Sequence, residues 1–163
     1  LDVGAFRGET LVVNYALMFI GGGSAGTAGG IKITTMMVLL AIVVAEITRQ
    51  RDAAMFGRRF GARAQRQALT VATMAALIIL SATTYILSVA DLPLRDVLFE
   101  TISAFSTVGL STGITADLPP TAQMVLALLM FVGRVGTITV ATALALNAQP
   151  RPYRYPEENP IVG

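Results

Sequence analysis

Two short segments carry the residues best suited to chemistry: Ser24-Ala25-Gly26-Thr27-Ala28-Gly29-Gly30-Ile31 and Thr107-Val108-Gly109-Leu110-Ser111-Thr112-Gly113-Ile114. Overlaid Gly26 on Gly109, they also match at Gly30 with Gly113, Ile31 with Ile114, and the hydroxyls Ser24 with Thr107. Glycine permits the backbone angles that turn successive carbonyl oxygens the same way. Carbonyls so arranged replace the hydration shell of a dehydrated monovalent cation. The candidate selectivity filter is therefore Ser24, Ala25, Gly26 and Thr27 with Thr107, Val108, Gly109 and Leu110. Its cation ligands would be the backbone carbonyls of Ala25, Gly26, Val108 and Gly109, with the Ser24 and Thr107 hydroxyls at the inner edge. The competing use of such glycines is to let membrane helices pack closely. A matched pair of segments favours the cation path.

The elements around these segments must hold irregular backbone at membrane depth, which survives only where protein buries it or a wet cavity meets it. The chain of 163 residues is 54% hydrophobic and 13% charged, against roughly 25% charged in an ordinary soluble domain, a deficit that places it in the membrane class. Five apolar stretches emerge, at 10–20, 31–47, 68–90, 96–105 and 121–146. The first and fourth are about 10 residues, below the roughly 17–25 a spanning helix needs. Stretch 31–47 barely reaches that length, while 68–90 and 121–146 exceed it. Each short stretch leads into a glycine segment and then a long helix, the pattern of a re-entrant pore loop written twice. The halves read as offset copies of a helix–pore loop–helix unit, 1–66 lacking its opening helix and 67–149 complete, with a cytoplasmic tail at 150–163. Two loops cannot ring an axis, so further copies are expected N-terminal to this chain, which starts without an initiator Met or a signal peptide. The expected fold class is an all-α membrane protein, part of a pseudo-symmetric pore.

Charge orients the spans. Arg49, Arg51, Arg58, Arg59, Arg63 and Arg66 lie between the first two long stretches against Asp52 alone, and Arg151 and Arg154 follow the last. The other side carries Asp91, Asp96, Glu100 and Asp117 with Arg95. Basic loops stay cytoplasmic, so the Arg-rich loop and the C-terminus are expected inside, and both glycine segments enter from outside. A net charge of +2 gives no support for nucleic acid, and the absence of Cys and His excludes thiolate or imidazole chemistry. Acids are few and none sits in catalytic spacing, so the expectation is no enzyme and no cofactor.

Other candidates are weaker. Gly21-x-Gly23-x-x-Gly26 with Glu46 satisfies the dinucleotide fingerprint, but that reading needs residues 11–20 as a strand within a soluble βαβ unit. Arg134, in Phe131-Val132-Gly133-Arg134-Val135-Gly136, falls near the middle of the last stretch, and an ionisable group there should face a cavity or a partner such as Glu100. A cation below the filter would set a barrier to flux. Lys32 is expected to snorkel or pair with an acid. Phe56-Gly57-Arg58-Arg59-Phe60-Gly61, between Glu46–Asp52 and the next helix, reads as a solvated basic loop, or as a broken helix end that docks a cytosolic regulator.

Four segments together resemble the Trk/Ktr/HKT superfamily of K+ transporters, most closely the membrane (pore) subunit of bacterial Ktr and Trk uptake systems. They are Met18 to Lys32, Phe99 to Gly113, Met130 to Gly136 and Tyr153-Arg154-Tyr155-Pro156-Glu157-Glu158. The resemblance implies the third and fourth of four membrane–pore–membrane repeats, with Gly26 and Gly109 as filter glycines for K+ and Arg134 as a pore-facing cation beneath them. It makes the first long helix a broken gating element, although Val43 to Thr48 is mostly aliphatic here. It further implies a bacterial inner-membrane, multi-pass protein, K+ uptake with Na+ influence, a homodimer in membrane lipid, and a separate cytosolic nucleotide-binding regulatory ring. The rival is a membrane-anchored assembly or binding subunit whose glycines serve packing.

Overall fold

The five apolar stretches fold as five α-helices in a computed structural model that describes residues 8–21, 29–50 and 52–136. In chain order they are α1 (Gly8–Ile20), α2 (Ile33–Ile47), α3 (Ala62–Val89), α4 (Leu94–Ser106) and α5 (Pro120–Val135), with a 3-10 turn at Ile114–Ala116 before α5. A two-stranded hairpin, β1 (Ala54–Met55) and β2 (Arg58–Arg59), joins α2 to α3.

Local chemistry explains most boundaries. Pro119 and Pro120 open α5, where a missing N–H costs nothing and the fixed φ suits a first turn. Asp96 sits in the first turn of α4, where its charge complements the helix dipole. α3 begins six residues before its apolar stretch, because Ala62 to Gln67 is polar yet made of good helix formers. α2 ends in a Schellman reversal: Arg49 takes φ 53°, its N–H bonds Glu46 O at 3.1 Å, and Gln50 N–H bonds Ala45 O at 2.8 Å.

Three expectations need correction. The helix expected from residue 121 onward stops early: α5 ends at Val135, and Gly136 at φ 93° leaves helical geometry. Arg134 therefore lies not in a helix interior but in the last turn of α5, where its charge suits the helix C-terminus. The basic segment after α2 is neither a plain loop nor a broken helix end. α2 is unbroken from Ile33 to Ile47, and Phe56 (φ 52°) with Gly57 (φ 72°) make the two-residue turn of a hairpin. That hairpin docks on the end of α2 through Ala53, Met55 and Phe60 against Ala41, Ile42 and Ala45.

The hydrophobic core is built around a short element, α4. Nine residues of α4, Val97 and Phe99 through Ser106, are buried, and α4 packs against α1, α3 and α5. Tyr15 donates to Arg95 O at 2.9 Å and its ring meets Phe99 at 5.8 Å, tying α1 to α4. Thr83 and Thr101 share a buried hydrogen bond of 2.9 Å between α3 and α4. The outer faces remain apolar: Leu69, Leu77 and Leu80 on α3, Val43, Val44 and Ile47 on α2, and Leu128 and Phe131 on α5 are exposed. Only 28% of the most apolar window of α3, mean hydropathy 1.8, is buried. A 28-residue helix rises about 42 Å, enough to cross a hydrocarbon layer of about 30 Å.

Candidate functional site

The second glycine segment is launched by the end of α4. Thr107 adopts φ 53°, ψ 37°, with its N–H on Ala104 O and the Val108 N–H on Ser103 O, both at 3.1 Å. This is the same Schellman reversal that closes α2. The backbone then passes through Gly109 at φ 80° and Gly113 at φ 95°. A Cβ at either glycine would meet open space, so conformation and not packing selects glycine there.

Carbonyl directions within the turn differ. Leu110 O accepts the Ser103 hydroxyl at 2.5 Å and is thereby committed to α4. Among the described residues no donor meets the carbonyls of Val108 and Gly109. Behind the turn, Glu100 is buried at 6% exposure, and its Oε1 accepts the Ser111 hydroxyl, the Thr112 N–H at 2.9 Å and the Thr112 hydroxyl at 3.3 Å. Ser111 Oγ accepts the Gly113 N–H at 2.9 Å.

The turn separates two cavities. One, of about 250 Å³, lies behind it and is lined by Glu100, Ser103, Gly109, Ser111, Thr115 and Met130 among others. The other, of about 340 Å³, is shared with α1 and lined by Asn14, Leu17, Met18, Ser106, Thr107 and Val108 among others. Among the described residues the Ser106 hydroxyl, buried beside the latter, has no hydrogen-bond partner.

Ser24, Ala25, Gly26 and Thr27 lie outside the described residues. The chain that leaves that segment, however, meets the second one. Gly29 N–H donates to Thr107 Oγ1 at 2.9 Å, and Gly30 N–H donates to Gly133 O at 3.3 Å. These glycines serve close approach: a Cβ at Gly29 would sit 2.9 Å from the Thr107 side chain, and one at Gly30 would sit 3.0 Å from Ser106 Oγ. Gly133 is tighter still, its Cβ position lying 1.8 Å from Phe105 O. Arg134, the next residue of α5, is exposed. Lys32, also exposed, precedes α2.

The dinucleotide reading fails here, because residues 11–20, which it needs as a strand, are helical within α1. Conversely, the anchoring of the turn by Glu100 and Ser103 was not foreseen. Its signal was an acid amid the apolar stretch 96–105, followed by serine one turn on and by Ser111-Thr112 after the glycine.

Comparison with known proteins agrees with the resemblance. A family model described as TrkH, cation transport protein, matches residues 1–153. The chain is 35% identical over 163 residues to Ktr system potassium uptake protein B of Bacillus subtilis (strain 168), covering all of this chain and 36% of that protein. It is 31% identical over 163 residues to the protein of the same name from Vibrio alginolyticus, again covering all of this chain and 36% of that protein. It is 37% identical over 161 residues to the potassium/sodium uptake protein NtpJ of Enterococcus hirae, covering 94% of this chain and 35% of that protein. The chain thus spans about a third of the length of these relatives.

Proposed function

The chain belongs to the TrkH family of cation transport proteins, and from that premise we propose that it forms the C-terminal part of a K+ uptake path whose ion ligands are backbone carbonyls. The supporting observation is the turn after α4. Gly109 holds φ 80° with open space about it, and the neighbouring carbonyls of Val108 and Gly109 are left without donors among the described residues. Such oxygens substitute for the hydration shell of K+ as it passes. Ala25 and Gly26 supply the matching carbonyls from the first segment, flanked by Ser24 and Thr27 as Thr107 and Leu110 flank the second pair. The Thr107 hydroxyl oxygen accepts the Gly29 N–H, so it joins the two segments as well as edging the path.

In this reading residues 1–66 and 67–149 are the third and fourth of four repeats, and 150–163 is a cytoplasmic tail. Arg134 places a positive charge near the end of α5 as a barrier to leak. The protein sits in the bacterial inner membrane as a homodimer in lipid, its path completed by the N-terminal repeats of the same protein. A cytosolic nucleotide-binding ring regulates it, Na+ influences uptake, and no cofactor or nucleic acid takes part.

The packing alternative accounts for Gly29, Gly30 and Gly133, which touch neighbouring backbone or side chains, but not for Gly109 or Gly113. Replacing Gly109 with Ser in the full-length transporter decides between them. Uptake of K+ into cells that depend on it should fall about ten-fold or more at equal protein abundance, a loss of about 1.4 kcal/mol. Parental uptake by that variant excludes the carbonyl path.

A further inference from the structure

A carboxylate buried in a short apolar helix is costly unless its oxygens are met. Among the described residues, Glu100 meets that condition only through the turn that follows its own helix. Its Oε1 gathers the Ser111 hydroxyl, the Thr112 N–H at 2.9 Å and the Thr112 hydroxyl at 3.3 Å. Ser103 lies three residues on, hence on the same face of α4, and donates to Leu110 O at 2.5 Å. Ser111 in turn receives the Gly113 N–H at 2.9 Å. Residues 110–113 are thus hung on one stripe of α4.

Consider what this leaves free. Gly109 at φ 80° and Gly113 at φ 95° are the points where the backbone swivels most easily. One end of the turn is fixed by the αL reversal at Thr107, and the other has no helix of its own before Ile114. Beside it lies a cavity of about 250 Å³, lined in part by Gly109, Leu110 and Ser111. The hydrogen bonds to Glu100 and Ser103 therefore set where the Val108 and Gly109 carbonyls stand.

We infer that Glu100 is a positioning residue for ion selectivity: its carboxylate, acting through Ser111 and Thr112, fixes the carbonyl spacing at Val108–Gly109. This rests on the proposed carbonyl path. The carboxylate touches no ion. It acts by limiting how far the carbonyls relax around a cation of the wrong size, so its loss weakens discrimination before it weakens flux. Hydrogen bonds to a charged acceptor are about twice as strong as neutral ones, so Gln is a poor replacement even though it keeps the shape.

The test uses the full-length transporter in proteoliposomes, comparing uptake of K+ and Na+ under matched gradients. Glu100→Gln should lower the K+-over-Na+ preference about ten-fold at parental protein recovery, with Glu100→Asp intermediate. Ser111→Ala combined with Thr112→Val, which leaves the buried carboxylate in place, should shift the preference in the same direction by a smaller factor. If Glu100→Gln fails to fold, the Ser111/Thr112 variant decides alone. A K+-transporting parent whose preference survives these variants unchanged overturns this inference and leaves the proposed path standing. A parent that takes up no K+ overturns both.

Discussion

Thr107 is a β-branched residue at φ 53°, a conformation that costs on the order of 1–3 kcal/mol and persists only where its surroundings impose it. Here the reversal hydrogen bonds impose it from α4, and the Gly29 N–H on its hydroxyl imposes it from the other segment. The glycines nearby divide by reason. Gly109 is glycine for its angle, whereas Gly133 is glycine because Phe105 O occupies the place of a Cβ. The two reasons predict different failures. Gly133→Ala should cost about 3 kcal/mol through overpacking of α5 on α4, seen as a lower melting temperature and poor recovery of the detergent-solubilised full-length protein. Parental stability would show that α4 and α5 do not cross this closely. The residue types were legible in the chain. The division between angle and contact was not, since the contact joins residues on different helices and the angle depends on hydrogen bonds from Ser103 and Ala104.

At the scale of elements, hydropathy located all five helices, because an apolar run that must satisfy its own backbone has few choices but to coil. It misplaced their polar ends. The first turns of α3 are exposed and charged, so no apolar pattern marks them, and Gly136 ends α5 inside a run that hydropathy alone continues to residue 146. The hairpin was also hidden. Its turn is Phe56-Gly57 rather than the usual Asn-Gly, and its strands are two residues each. Gly57 at φ 72° should be the weak point: Gly57→Val puts a branched side chain in the left-handed region at a cost of about 1–2 kcal/mol. Trypsin cleavage after Arg58 and Arg59 in inverted vesicles should then run about five- to ten-fold faster than in the parent. An unchanged rate would mean that the hairpin gives those bonds no protection.

At the scale of the whole chain, the arrangement inverts a soluble domain: a short helix, α4, is the core, and the longest of the described helices, α3, faces outward. That makes sense where lipid covers α3 and further chain completes the path beside the turn at Thr107 to Gly113. It also fixes a geometric demand. The hairpin lies at the N-terminal end of α3 and Asp91 just beyond its C-terminal end, about 42 Å away along a helix of 28 residues. If α3 spans the membrane with its Arg-rich end inside, these two points face opposite solutions. The chain contains no cysteine, so a single thiol can report each in a cysteine-free full-length protein. Phe56 is 85% exposed at the hairpin tip, and Asp91 is exposed too, so neither substitution disturbs a buried contact. Asp91→Cys should react with a membrane-impermeant maleimide on intact cells, and Phe56→Cys should react only in inverted vesicles. Reaction of both from one side would put the ends of α3 in the same compartment. It would remove the outward entry of the glycine segments, on which a path from outside to inside depends.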